Sequence, residues 1–98
     1  MKIYQLVSYA NAYNKRTKKW ESQRSVQQVY ADKAGLQTAY AEFEREKSII
    51  QNLRTCNNFN KYSEVRGKVE LQLPHIHENG TLAYWGDKVL QSYNPDNI

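Results

Sequence analysis

One stripe of apolar residues at helical spacing runs through the middle of this chain, and the segments on either side of it alternate with strand period. Leu36, Ala39, Tyr40, Phe43, Ile50 and Leu53 recur at intervals of three, four and seven, which puts them on one face of a 3.6-residue helix. A single amphipathic helix among strands has to bury its stripe against a sheet, so the pattern points to an α+β fold. Asp32 is placed to cap the first turn, since its carboxylate can accept from the orphan amides there. Glu42, Glu44, Arg45 and Glu46 fall mostly off the stripe and are expected to be solvated. The helix is expected to end between Arg54 and Asn57, where Asn57 and Asn58 favour a turn.

Before the helix, Lys2 to Tyr13 holds Tyr, Val, Ile and Leu without Gly or Pro and reads as a strand. Ile3, Val7 and Tyr9 share one face, and Tyr4, Leu6, Ala10 and Ala12 the other. Asn14 to Thr17 makes a turn. Trp20 to Tyr30 returns antiparallel with Trp20, Val26 and Tyr30 in one phase, although Val26, Val29 and Tyr30 also fit a helix beginning near Ser22. After the helix, Val69, Leu71 and Leu73 alternate with Glu70 and Gln72 as a half-buried strand. Pro74 ends that ladder or puts it on an edge. Asn79-Gly80 reads as a type I′ hairpin turn. Leu82 to Trp85 forms the return strand, Gly86-Asp87 a further turn, and Val89 to Tyr93 another short strand. The expectation is a small antiparallel sheet of four or five strands on one main helix, in the order β-β-α-β-β. At 98 residues this is one domain, with a loose tail from about residue 94.

Charge is distributed unevenly. Residues 1–30 carry six cations against one anion, residues 31–55 are balanced, and residues 56–98 carry a net −1, within an overall +4. The excess is concentrated in Lys15, Arg16, Lys18 and Lys19, with Trp20 next to them and Arg24 close by. Such a loop can grip a phosphate backbone through counterion release, with Trp20 or a tyrosine stacking on a base. The same residues also fit a solvated turn whose lysines block edge-to-edge pairing. The helix has as many acids as bases, so it has no net attraction to a DNA groove.

The first half, MKIYQLVSY followed by a Trp-containing strand and ADKAGLQTAYAEFE, resembles the small accessory proteins of phages and prophages that open β-β-α. The resemblance implies a setting, such as interference with a host system, and no site residues. Together with six aromatics on predicted strands (Tyr4, Tyr9, Tyr13, Tyr84, Trp85 and Tyr93), it leads to an expected function. This is a non-enzymatic interaction protein that binds and modulates a protein or ribonucleoprotein target, in the manner of a phage-type inhibitor of a host system. The alternative is a small nucleic-acid-binding module using Lys15, Arg16, Lys18, Lys19, Trp20 and Arg24. Self-association through a sheet edge would use similar surface.

Catalytic and metal signatures are weak. His75 and His77 form an H-x-H pair whose rings share a strand face, and Cys56, Glu70, Glu78 or Asp87 would have to complete a metal set. No second pair or C-x-x-C accompanies them, so no metal or cofactor is expected. A lone Cys56 can make no internal disulfide and reads better as a small buried hydrophobe than as a nucleophile. The N-terminal segment lacks an apolar core of leader length, and no run approaches the roughly 20 apolar residues of a membrane span. The expected compartment is the cytosol.

Overall fold

A computed structural model describes residues 3–55 and 62–97, leaving aside the side chains of residues 32–34, 84 and 85. The elements follow as β1 (Ile3–Asn14), β2 (Lys19–Ala31), α1 (Asp32–Thr55), β3 (Tyr62–Ile76) and β4 (Leu82–Tyr93). Residues 20–30 are therefore strand. The fold is α+β, with a curled antiparallel sheet in the spatial order β2-β1-β3-β4. That order is not the order along the chain, because β1 lies inside the sheet between β2 and β3. The strands are long: β3 has 15 residues, which at about 3.3 Å each accounts for the 48 Å long axis.

The helix packs across β3, β1 and β2. Tyr4, Leu6 and Ala10 of β1 and Val69 and Leu71 of β3 meet Ala39, Phe43 and Ile50 of α1 in one core. Phe43, Leu6, Ile50 and Leu71 are almost fully buried, and each contributes about 1.5–3 kcal/mol through its apolar area. Two positions on α1 depart from the expected stripe. Glu46 fills the gap between Phe43 and Ile50 and is buried, while Tyr40 is 41 % exposed.

Gly86-Asp87 is not a turn. Leu82–Tyr93 is one strand, paired with β3 through three irregularities that absorb Leu90, Asp87 and the stretch 83–85. Pro74 lies inside β3 opposite Gly86, at one of those irregularities rather than at the strand's end. The β3–β4 connection is also not a type I′ turn. Of its residues only Gly80 has positive φ, at 88°. Gly80 N donates to His77 O, and His77 N donates to Thr81 O. This makes a three-residue loop of Glu78, Asn79 and Gly80, with glycine in the left-handed position. The tail expected to be loose is held at Asp96, which accepts from Arg54 at 2.9 Å and from Gly67 N at 3.1 Å.

The sheet face away from the helix is divided along its length. At one end a chain of amides crosses three strands: Gln27 donates to Gln5 (3.3 Å), Gln5 to Gln72 (3.2 Å) and Gln72 to Glu70 (2.8 Å). Gln27 also reaches the Ala83 carbonyl at 3.5 Å, so the start of β4 curls over toward β2, the opposite edge of the sheet. Gln5 and Ala83 are buried as a result. The other end, beside the β1–β2 loop, stays open.

Candidate functional site

The open end is built by the β1–β2 hairpin and the first half of β3. Asn14 organises the loop. Its Oδ1 accepts from the amides of Arg16 (2.9 Å) and Thr17 (3.3 Å), and its Nδ2 donates to Glu21 at 3.0 Å. Lys18 N closes the loop onto Asn14 O at 2.8 Å, with Lys18 left-handed at φ 58°. An Asx turn of this kind fixes a tight polar loop without glycine. Lys15, Arg16, Lys18 and Lys19 are all exposed on it.

A β-bulge decides where Trp20 points. Ala10 pairs with Arg24 but Asn11 pairs with Ser22, so Gln23 is the extra residue. An extra residue reverses the facing of everything beyond it. Val26 and Tyr30, opposite Ser8 and Tyr4, face the helix, whereas Trp20, opposite Tyr13, faces the open side. The single phase expected for Trp20, Val26 and Tyr30 is thus broken, and Trp20 joins a different set of neighbours.

Those neighbours come from β1 and β3. Tyr13 meets Trp20 edge to face at 5.4 Å between ring centroids. The Arg66 guanidinium lies over the Trp20 ring at 5.1 Å, and Lys68 lies 5.7 Å from the Tyr9 ring. Tyr9, Asn11, Trp20 and Arg66 line a notch of about 230 Å³. Two acids share this face, each beside a cation: Glu64 accepts from Arg66 Nε at 2.8 Å, and Glu70 lies 3.9 Å from Lys68. Burial, then Glu70 and Asp96, push the Tyr9 hydroxyl above its ordinary value, so it stays a neutral phenol at physiological pH. Sequence reasoning missed Arg66 and Lys68. Their spacing of two on a strand, flanked by helix-facing Val65 and Val69, was the available signal.

Arg24 is not brought to this face. It lies on the helix side, where Nε and Nη2 both contact the buried Glu46 carboxylate at 2.6 Å. It fastens β2 to α1, and the carboxylate expected to be solvated is its partner.

Two other places on the molecule carry side chains with chemistry or an apolar opening. His75 Nδ1 is 2.7 Å from Asp87 Oδ1, and the His77 ring is 5.5 Å away. Among the described residues no three His, Cys, Asp or Glu are grouped to hold a metal, and Cys56 lies outside them. A second, apolar groove of about 530 Å³ opens between α1 and the far end of the sheet. It is lined by Ile3, Leu36, Tyr40, Leu73, Ile76 and Leu90, with Tyr4 and Pro74. Tyr40 and Ile76 are the most exposed of these. Among the described residues no helix is long and apolar enough to cross a membrane. No protein-family profile, curated protein or solved structure matches the chain.

Proposed function

We propose that this chain is a non-enzymatic interaction protein that grips a polyanionic partner, a nucleic acid or the nucleic-acid face of a ribonucleoprotein, with the open end of its sheet. One observation carries the reading. The bulge at Gln23 turns Trp20 onto the same face as Tyr9, Arg66 and Lys68, directly beside the loop of Lys15, Arg16 and Lys18. Cations that follow a phosphate backbone, next to aromatic rings that accept bases, are the common parts of sequence-tolerant nucleic-acid binding. Lys19 extends the same end of the molecule, although strand alternation sets it opposite Asn14 on the other side.

Binding of a fluorescent oligonucleotide, measured by anisotropy at two salt concentrations, tests this. The variant with Lys15, Arg16, Lys18 and Lys19 all changed to Ala is expected to bind at least tenfold more weakly. Its salt slope should fall by up to about three, at roughly 0.7 per phosphate contact on a single strand. An unchanged affinity and slope would rule the loop out.

The apolar groove favours a second reading, that of a modulator docking a protein segment, as the phage-type resemblance implies. Tyr40 is exposed within the groove although it belongs to the helix's apolar stripe. Tyr40→Glu is expected to abolish recovery of any stoichiometric protein partner from a host lysate while leaving oligonucleotide binding intact. Recovery of the same partner with this variant would remove the groove from consideration.

A further inference from the structure

Resting on the polyanion reading, we propose that the open face takes single-stranded nucleic acid, with one unstacked base on Trp20 and the next against Tyr9. The two aromatic–cation couples form a repeating unit. Arg66 over Trp20 and Lys68 beside Tyr9 are contributed by two β3 residues one pleat repeat apart. The rings themselves come from different strands: Trp20 on β2 is level with Tyr13, four residues along β1 from Tyr9, so their backbone positions are about 13 Å apart along the strand, wider than the spacing of bases stacked in a duplex. A flexible single strand can splay its bases to meet two such platforms, and a duplex cannot without melting.

The notch between Tyr9, Asn11, Trp20 and Arg66 is a cleft for one flat ring rather than a groove for a helix. One of its walls, the Arg66 guanidinium, is itself flat and lies over the indole. A base entering the notch either sandwiches against that guanidinium or moves it off the ring. Glu64 then holds Arg66 in reach through Nε, leaving the remaining donors for a phosphate or a base edge. Asn11 lines the same notch and brings a side-chain amide with both donors and an acceptor to the edge of a bound base. The loop cations at the end of the hairpin continue the track for the backbone beyond the first base.

The test compares three probes: a single-stranded 16-mer, the duplex of the same sequence, and heparin as a polyanion without bases. The single strand is expected to bind about tenfold tighter than the duplex. Trp20→Ala should lower single-strand affinity about tenfold and leave heparin affinity and the salt slope unchanged, while Trp20→Phe keeps most of the binding. Trp20 is 45 % exposed, so the fold is expected to survive both changes, and an unchanged thermal transition checks it. Equal affinity for single strand and duplex, with heparin also bound, would overturn base stacking but leave the polyanion reading standing. So would a Trp20→Ala loss that is equally large for heparin. Failure to bind any of the three probes at low salt would overturn both.

Discussion

Changing Arg24 to methionine is expected to lower the stability of the fold by about 3 kcal/mol, the lower end of what breaking a buried ion pair costs. The lower end applies because the Arg24 side chain keeps 29 % exposure, whereas its partner Glu46 has 2 %. The loss arises on the glutamate side, where a carboxylate under the sheet loses the guanidinium hydrogen-bonded to it. Burial alone pushes the Glu46 carboxyl up. Burial is the largest single effect, but the Arg24 hydrogen bonds, Ser8 and the charges of Arg24 and Arg45 together outweigh it and hold the carboxyl below its ordinary value. The Ser8 hydroxyl acts from close by without reaching hydrogen-bond geometry. A carboxyl with a lowered folded value stabilises the fold above its unfolded value, near 4.5, and the contribution is lost as pH falls through the folded value. In Arg24→Met the burial effect dominates and the sign reverses: the group is raised, so the variant is penalised most at neutral pH and recovers as Glu46 protonates. Urea denaturation of both proteins from pH 7 to 4 should show the gap narrowing. Glu46→Gln should cost less than Arg24→Met, because the remaining cation can turn to water. Arg24→Met with Glu46→Leu should recover most of the loss. A gap that does not change with pH would mean that the pair is not the source of the destabilisation.

That pair also marks where sequence reasoning stopped. The helix stripe was legible from Leu36 to Leu53, and so was its burial on an antiparallel sheet, because periodicity reports which face is apolar. It does not report a charged residue buried on that face. The seven-residue gap from Phe43 to Ile50 left room for one more inward position. Glu46 fills it only because Arg24 arrives from β2, 22 residues away in sequence. That is a long-range pairing that no local pattern encodes. Tyr40 shows the converse. It fits the stripe by spacing, yet α1 lies across β3, β1 and β2, and Tyr40 is left lining the groove on the other side.

The site was legible in part for a similar reason. Composition located the loop cations and Trp20, since a run of four charges is a local fact. It also grouped Arg24 with them, because distance along the chain was the only measure at hand. The bulge at Gln23 separates the two: Trp20 goes to the open face and Arg24 to the helix. A single inserted residue has no signature in the pattern, but it reverses every side chain beyond it. Arg66 and Lys68 were passed over because their importance depends on β3 lying beside β1, a pairing across more than 50 residues.

Gly86→Ala is expected to be the most damaging of the small substitutions on the sheet, at about 2–3 kcal/mol. A methyl group there would lie 2.5 Å from the Leu73 carbonyl oxygen and 2.6 Å from Gln72 Cβ. Both belong to the neighbouring strand rather than to the tip of a side chain that can swing away. The glycine is needed for space, since its φ is not among the positive ones. Gly80 provides the contrast. It has positive φ and nothing within 4 Å of an added Cβ, so Gly80→Ala should cost only the left-handed penalty of about 1–2 kcal/mol. The close approach at Gly86 is what lets the first residues of β4 curl back, bringing the Ala83 carbonyl to Gln27 and closing the face over Gln5 and Gln72. Pushing the strands apart should therefore lower the denaturation midpoint and also speed amide exchange at Gln5, Val7 and Gln72. Normal exchange with a stability within 0.5 kcal/mol of the parent, the range of a neutral surface change, would show that the crossing is not a constraint. The covered end and the notch at Trp20 lie at opposite ends of the same face. Oligonucleotide affinity should thus be unchanged in Gly86→Ala under conditions where the variant is still folded, which separates the part of the face that closes the fold from the part that is left to bind.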